Sequence, residues 1–255
     1  MTPILRVRNL NKVYPNGFQA LKNVSFDVAQ GEFLVVIGLS GSGKTTLLRC
    51  LNRLLDPTSG EIEFEGQRAD QVQGADVRRL RKHAAMIFQQ FNLVPRHSVL
   101  SNVLMGRLAS TPTVSSLLGM FSREDRELAM EQLKVVGISE LAQARADNLS
   151  GGQQQRVAIA RALCQKPKVL LADEPVASLD PATCNVIMDY LQKINRELGI
   201  TVVCSLHFLS LVREYATRVI ALRDGQLVYE GKPSSIDEAW FKKIYGEKAK
   251  EIHVR

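Results

Sequence analysis

The octet Gly38-Leu39-Ser40-Gly41-Ser42-Gly43-Lys44-Thr45 matches the phosphate-binding spacing Gly-x-x-x-x-Gly-Lys-Ser/Thr at every fixed position. Glycines placed this way let backbone N–H groups converge on an anion with no Cβ in the path. A helix leaving the octet adds its free N–H groups and the positive end of its dipole. The lysine reaches the β- and γ-phosphates of a nucleoside triphosphate, and the Thr45 hydroxyl can ligate Mg²⁺. The expected chemistry is triphosphate binding by the octet and by Thr46, the next residue of the helix. The competing reading is an ordinary Gly/Ser turn between a strand and a helix.

Two further constellations bear on what the triphosphate is used for. Asp173-Glu174 follows the apolar run Val169-Leu170-Leu171-Ala172. Open parallel sheets place ligands at the carboxyl ends of their strands. There an aspartate can hold Mg²⁺, directly or through water, and the adjacent glutamate can polarise a water for attack on the γ-phosphate. Leu149-Ser150-Gly151-Gly152-Gln153 precedes Gln154 to Leu163, a strong helix former. A Gly-rich helix start is a second anion site; its plainer reading is a serine cap with flexible glycines. One chain thus carries two phosphate-facing loops. If two copies pack head to tail, the second loop of each can close over phosphates held by the first loop of the other.

The elements that position these residues follow from periodicity. Phe33-Leu34-Val35-Val36-Ile37 reads as a buried strand into the octet and Thr45 to Leu51 as the helix out of it. Before it, Ile4, Val7 and Leu10, then Ala20 to Val28, alternate as strands around a turn at Asn16-Gly17. Glu61 to Phe64 lies between the turns Asp56 to Gly60 and Glu65-Gly66, which suggests an antiparallel β layer beside a parallel core. From about 95 to 165 the chain reads as mostly helical. Leu128, Met130, Leu133 and Val136 form an imperfect stripe ending at Gly137, and 106–122 reads as an insertion or loop with a short helix. A parallel α/β pattern then resumes. It has a helix over 181–197 ended by Gly199, strands at 200–204 and 219–222, and a turn at Asp224-Gly225. The tail from Asp237 reads as a polar helix anchored by Trp240, Phe241, Ile244 and Tyr245.

Composition limits the setting. The chain has 255 residues, 45% of them hydrophobic and 23% charged, enough for one large domain. No run of about 18 apolar residues occurs, and Met1 to Arg6 lacks a signal-peptide layout, so a cytoplasmic protein is expected. The four cysteines, at 50, 164, 184 and 204, form no C-x-x-C pair and read as reduced core thiols rather than a zinc site. The net charge of +7 fits nucleic acid, anionic lipid or nothing specific. The run Arg78, Arg79, Arg81, Lys82 has no interleaved aromatics and reads as a solvated helix face, so no nucleic-acid partner is expected.

Taken in order, the octet, the pentapeptide at Leu149 to Gln153 and Leu170-Leu171-Ala172-Asp173-Glu174-Pro175 resemble the ATP-binding subunits of ATP-binding-cassette (ABC) transporters over essentially the whole length. The pentapeptide is the family signature and is more diagnostic than the octet, which many ATPases and GTPases share. The resemblance implies an α/β P-loop ATPase core with an antiparallel β subdomain and an inserted helical signature subdomain. This is one ABC ATPase domain over 1–255: core and β subdomain at about 1–90 and 165–235, helical subdomain at about 91–164, and a helical tail at about 236–255. It also implies that Gln89 touches Mg²⁺ and the attacking water, with Gln90 as its neighbour. By the same likeness Asp180, in Ser178-Leu179-Asp180, communicates across a dimer. His207 contacts the γ-phosphate, and Tyr14 stacks on adenine. Lys44, Glu174 and His207 are then the catalytic residues, Thr45, Gln89 and Asp173 the metal ligands, and Ser150, Gly151, Gly152 and Gln153 act on ATP in trans.

Within the family, Ile87 to Val94, Ser98 to Leu108, Leu117 to Asp125 and Ala172 to Pro181 look like the phosphonate-import branch, some of whose relatives serve phosphite or hypophosphite. Phe208 departs from it, because that branch usually has Gln after the histidine. The resemblance implies ATP and Mg²⁺ as cofactors and a homodimer of ATPase subunits. It implies membrane permease subunits, a periplasmic or extracellular solute-binding protein reached through them, and a peripheral location on the cytoplasmic face of the membrane. An importer ATPase for another small solute, such as a polar amino acid, stays open. So does a non-transport ABC ATPase acting on nucleic acid or the ribosome. Against the latter, the chain has neither heptads nor a second cassette.

Overall fold

The computed structural model describes residues 3–246. The chain runs β1 (Leu5–Val13), β2 (Gln19–Val28), β3 (Phe33–Ile37), α1 (Lys44–Leu51), β4 (Ser59–Phe64), β5 (Gln67–Arg68), α2 (Ala75–His83) and β6 (Ala84–Ile87). It continues through α3 (Val99–Leu104), α4 (Thr113–Leu117), α5 (Arg123–Val135), α6 (Gly151–Leu163), β7 (Val169–Asp173) and α7 (Pro181–Leu198). It closes with β8 (Thr201–Ser205), α8 (Leu209–Tyr215), β9 (Arg218–Arg223), β10 (Gln226–Gly231) and α9 (Glu238–Tyr245). Short 3₁₀ segments lie between helices at Met105–Ser110, Ser139–Leu141 and Ala146–Asn148, and between β10 and α9 at Pro233–Ser235.

Two sheets form. The first, in the order β2-β1-β4-β5, is antiparallel throughout. The second, in the order β10-β9-β3-β8-β7-β6, is parallel except for the β9–β10 hairpin at its edge. β3 explains the layering. All five of its side chains are buried, and alternation sends them to opposite faces. Phe33, Val35 and Ile37 join the helical core with Leu133, Val157, Ile159, Ile187 and Leu191. Leu34 and Val36 join the second core with α1 and the antiparallel sheet, among Leu47, Leu48, Val7 and Ile62.

Local chemistry sets the helix ends. α7 starts on Asp180, whose carboxylate accepts the Thr183 N–H, with Pro181 in the first turn, and it stops at Gly199 in the left-handed conformation. α6 starts on a capping box in which the Ser150 and Gln153 side chains each accept the other's backbone N–H. α5 carries the expected stripe, but its fully buried members are Ala129 and Leu133, while Leu128 and Met130 are only half-buried. The 106–122 segment holds α4 and leaves Val114, Leu117, Leu118 and Met120 exposed.

The basic run is only partly a solvated face. Arg78 and Arg79 are exposed, whereas Arg81 and Lys82 are half-buried. Arg81 donates to the Asn52 and Arg53 carbonyls. Those carbonyls lie just past the end of α1, where acceptors lack intrahelical donors. Among the described residues, no helix is long and apolar enough to cross a membrane.

Candidate active site

The octet forms the turn between β3 and α1. Its last glycine, Gly43, has φ +106°, and a Cβ there would fall 2.5 Å from the Ala20 carbonyl oxygen, so only glycine fits. Gly43 leaves α1 with no side-chain cap, and the helix therefore opens with free N–H groups. The Lys44 side chain is buried and donates to the loop's own carbonyls, Gly38 O at 2.9 Å and Leu39 O at 3.1 Å. Burial lowers its pKa, and Glu174 and Asp173 offset this in part. Ser42 Oγ is buried with no hydrogen-bond partner among the described residues. Uncapped N–H groups, an orphaned hydroxyl and a buried ammonium form a donor set that fits a polyphosphate.

Opposite the loop stand the carboxylates. Thr45 Oγ1 donates to Asp173 Oδ1 at 2.9 Å, and so does Ser205 Oγ at 3.1 Å. Burial raises the Asp173 pKa, and these two bonds moderate the rise. Glu174 sits just past β7 with φ +47°, a left-handed conformation uncommon outside glycine. Its N–H donates to Ser205 Oγ at 2.9 Å, and its Oε1 lies 2.5 Å from His207 Nε2 and 3.7 Å from Lys44 Nζ. The His207 bond is the first cause of a lowered Glu174 pKa, against the opposing effect of burial. A carboxylate kept ionised beside a buried ammonium can take a proton from water.

A cavity of 260 Å³ opens on this group, lined by Gly41, Gly43, Lys44, Thr45, Thr46 and Glu174, with Tyr14, Phe18 and Ala20 at one side. Tyr14 OH and Thr46 Oγ1 are 3.1 Å apart, and the Tyr14 and Phe18 rings stack at 6.5 Å with 21° between their planes. An aromatic pair beside a phosphate loop offers a platform for a nucleobase.

The structure thus brings Tyr14, the octet, Thr46, Asp173, Glu174 and His207 together. Gln89, Ser150 to Gln153 and Asp180 do not line this cavity. Gln89 is exposed in the turn after β6. Ser150 and Gln153 are engaged in their capping box. α6 and α7 approach so closely that a Cβ on Gly152 would lie 2.5 Å from Thr183 Cγ2, which sets the signature residues beside the helix start capped by Asp180.

Three contributors escaped sequence reasoning. Ser205 stands where an apolar strand ends in a hydroxyl. Phe18, 56% exposed, follows the Asn16-Gly17 turn. Arg161 of α6 donates to the Phe91 and Asn92 carbonyls at 2.7 and 2.5 Å and so ties the segment after Gln89 to the signature helix. An arginine inside the apolar run Val157 to Leu163 was the available signal.

The family model described as ABC transporter matches residues 21–177. The phosphonates import ATP-binding protein PhnC of Bdellovibrio bacteriovorus is 66% identical over 98% of this chain and 96% of its own length. The protein of the same name from Staphylococcus aureus MRSA252 is 52% identical over 97% and 96%. Among solved structures, a dimeric post-hydrolysis ATP-binding cassette bound to ADP and Pi is 36% identical, with a TM-score of 0.80 over 90% of this chain and 98% of that one. CbiO1 of Clostridium perfringens, part of an ABC transporter complex, is 32% identical, with a TM-score of 0.81 over 95% and 94%.

Proposed function

The chain belongs to the ABC transporter family of ATP-binding cassettes, and from that premise we propose that its ATP hydrolysis drives import of a phosphonate, or a related reduced phosphorus oxyanion such as phosphite, through a membrane permease. The observation that carries the hydrolytic reading is the convergence of Lys44 and His207 on one carboxylate oxygen of Glu174 beside the phosphate loop. The substrate class rests on likeness to phosphonate-import subunits along nearly the whole chain.

In this reading the loop amides and Lys44 bind the β- and γ-phosphates of ATP. Tyr14 stacks on the adenine, with Phe18 beside it. Glu174 accepts the proton of a water whose oxygen bonds to the γ-phosphorus as the bond to ADP breaks, and His207 holds Glu174 in place and contacts the γ-phosphate. Thr45 and Asp173 present hard oxygen donors that suit Mg²⁺, with Gln89 assigned as a further ligand; when bound, the ion neutralises charge on the phosphates. Catalysis then comes from positioning and fixed charges rather than from a covalent intermediate.

Two copies pair so that Ser150, Gly151, Gly152, Gln153 and Asp180 of one face the phosphates held by the other. The helical segment 91–164 carries the signature residues and transmits closure to permease subunits, which receive solute from a binding protein. The chain sits peripherally on the cytoplasmic face of the membrane. Glu174→Gln is the decisive variant: it binds ATP, hydrolyses little and accumulates as a dimer. Normal turnover in that variant would sink the hydrolytic reading. Reconstitution with the permease that co-purifies with the chain tests the substrate, since uptake of an amino acid in place of a phosphonate would overturn the branch assignment.

A further inference from the structure

We infer that Ser205 is a positioning residue for ATP hydrolysis, whose one hydroxyl engages both Asp173 and Glu174 and helps hold them in their working geometry; this rests on the hydrolytic reading above. Ser205 is the last residue of β8 and is fully buried. The β7–β8 register places Asp173 opposite it. Its hydroxyl donates to Asp173 Oδ1 at 3.1 Å and accepts the Glu174 N–H at 2.9 Å, so one oxygen uses its proton and a lone pair on two consecutive residues.

Each bond has a distinct consequence. Asp173 Oδ1 accepts from Thr45 and Ser205 together, and two donors on one oxygen fix the direction of the carboxylate. Glu174 holds φ +47°, a conformation that persists in a non-glycine residue only when its surroundings hold it. Ser205 holds it at the backbone, and His207, two residues further along the same strand end, holds it at the carboxylate. The end of β8 therefore grips Glu174 at both places, and the aim of its carboxylate follows from that double hold. The strand itself is informative. Val202, Val203 and Cys204 before Ser205 are buried and apolar, and a hydroxyl closing such a run is costly unless both its hydrogen-bonding functions are used.

Steady-state ATPase kinetics of the full chain test this with Ser205→Ala, Ser205→Thr and Ser205→Cys beside the parent and Glu174→Gln. In Ser205→Ala, kcat falls about ten- to hundredfold, the scale of losing a buried hydrogen-bond partner, while KM for ATP stays within about twofold because the phosphate loop is untouched. Ser205→Thr restores most of kcat, and Ser205→Cys, a weak donor, falls between. If the alanine variant does not fold, the threonine and cysteine variants decide by the same ranking. A kcat for Ser205→Ala within about twofold of the parent overturns the inference, as does an equal loss in the threonine variant. Failure of the hydrolytic reading looks different: the parent chain and Glu174→Gln would then turn over ATP alike.

Discussion

His207 Nε2 lies 2.5 Å from Glu174 Oε1, and the same oxygen faces Lys44 Nζ at 3.7 Å. An imidazole and an ammonium thus share one carboxylate oxygen at the mouth of the phosphate cavity. The arrangement ties the acidity of Glu174 as well as its direction to His207.

Removing the imidazole tests that dependence. The pKa of Glu174 is lowered in the folded chain, first by the His207 bond. A lowered carboxylate pKa contributes stability that is fully present above the unfolded pKa and is lost as pH falls through the folded one. His207→Ala raises the Glu174 pKa toward its ordinary value, so the acidic limb of the kcat profile moves to higher pH, and kcat falls about tenfold or more. Profiles of kcat against pH for the two chains check this; superimposable acidic limbs would show that His207 does not control Glu174.

Gly43→Ala should abolish nucleotide binding and lower stability. The substitution meets the Ala20 carbonyl at 2.5 Å with φ at +106°, and the backbone strain alone costs about 1–3 kcal/mol. Gly41→Ala is the comparison: φ is +80° but nothing lies within 4 Å, so it meets strain without the clash. Chemical denaturation of both variants should rank Gly43→Ala well below Gly41→Ala.

Tyr14 carries two separable contacts. Tyr14→Phe removes the hydroxyl 3.1 Å from Thr46 Oγ1 but keeps the ring, and KM for ATP should stay within about twofold. Tyr14→Ala removes the ring, and loss of a stacking contact worth about 1–3 kcal/mol should raise KM about tenfold with kcat little changed. Equal KM values for the two variants would place the base elsewhere.

The four cysteines are buried and unpaired. Burial pushes the Cys50 and Cys164 thiols up to about 12 and raises Cys184 and Cys204 as well. Thiolate is the reactive form, so the native chain should react with an aromatic disulfide reagent on the order of a hundredfold more slowly than the denatured chain, which releases four equivalents. Fast reaction of any one thiol in the native chain would contradict its burial.

The sequence alone determined the contiguous parts of this molecule. The octet, the Asp173-Glu174 pair and the cap at Ser150 are legible because their chemistry depends on neighbours within a few positions and on one adjoining strand or helix. The strands and helices around them follow from apolar periodicity. Tertiary structure alone decided which distant groups meet. Ser205 reaches Asp173 only through the β7–β8 register, and Arg81 turns from solvent only because the fold brings it to the Asn52 and Arg53 carbonyls past the end of α1. Arg161 finds the Phe91 and Asn92 carbonyls only once α6 packs beside β6. These partners lie tens of residues apart in the chain, and a lone serine or arginine has no local pattern that names its acceptor. Burial supplies the reason they meet: a hydrogen-bonding group withdrawn from water must find a partner, and packing chooses which one.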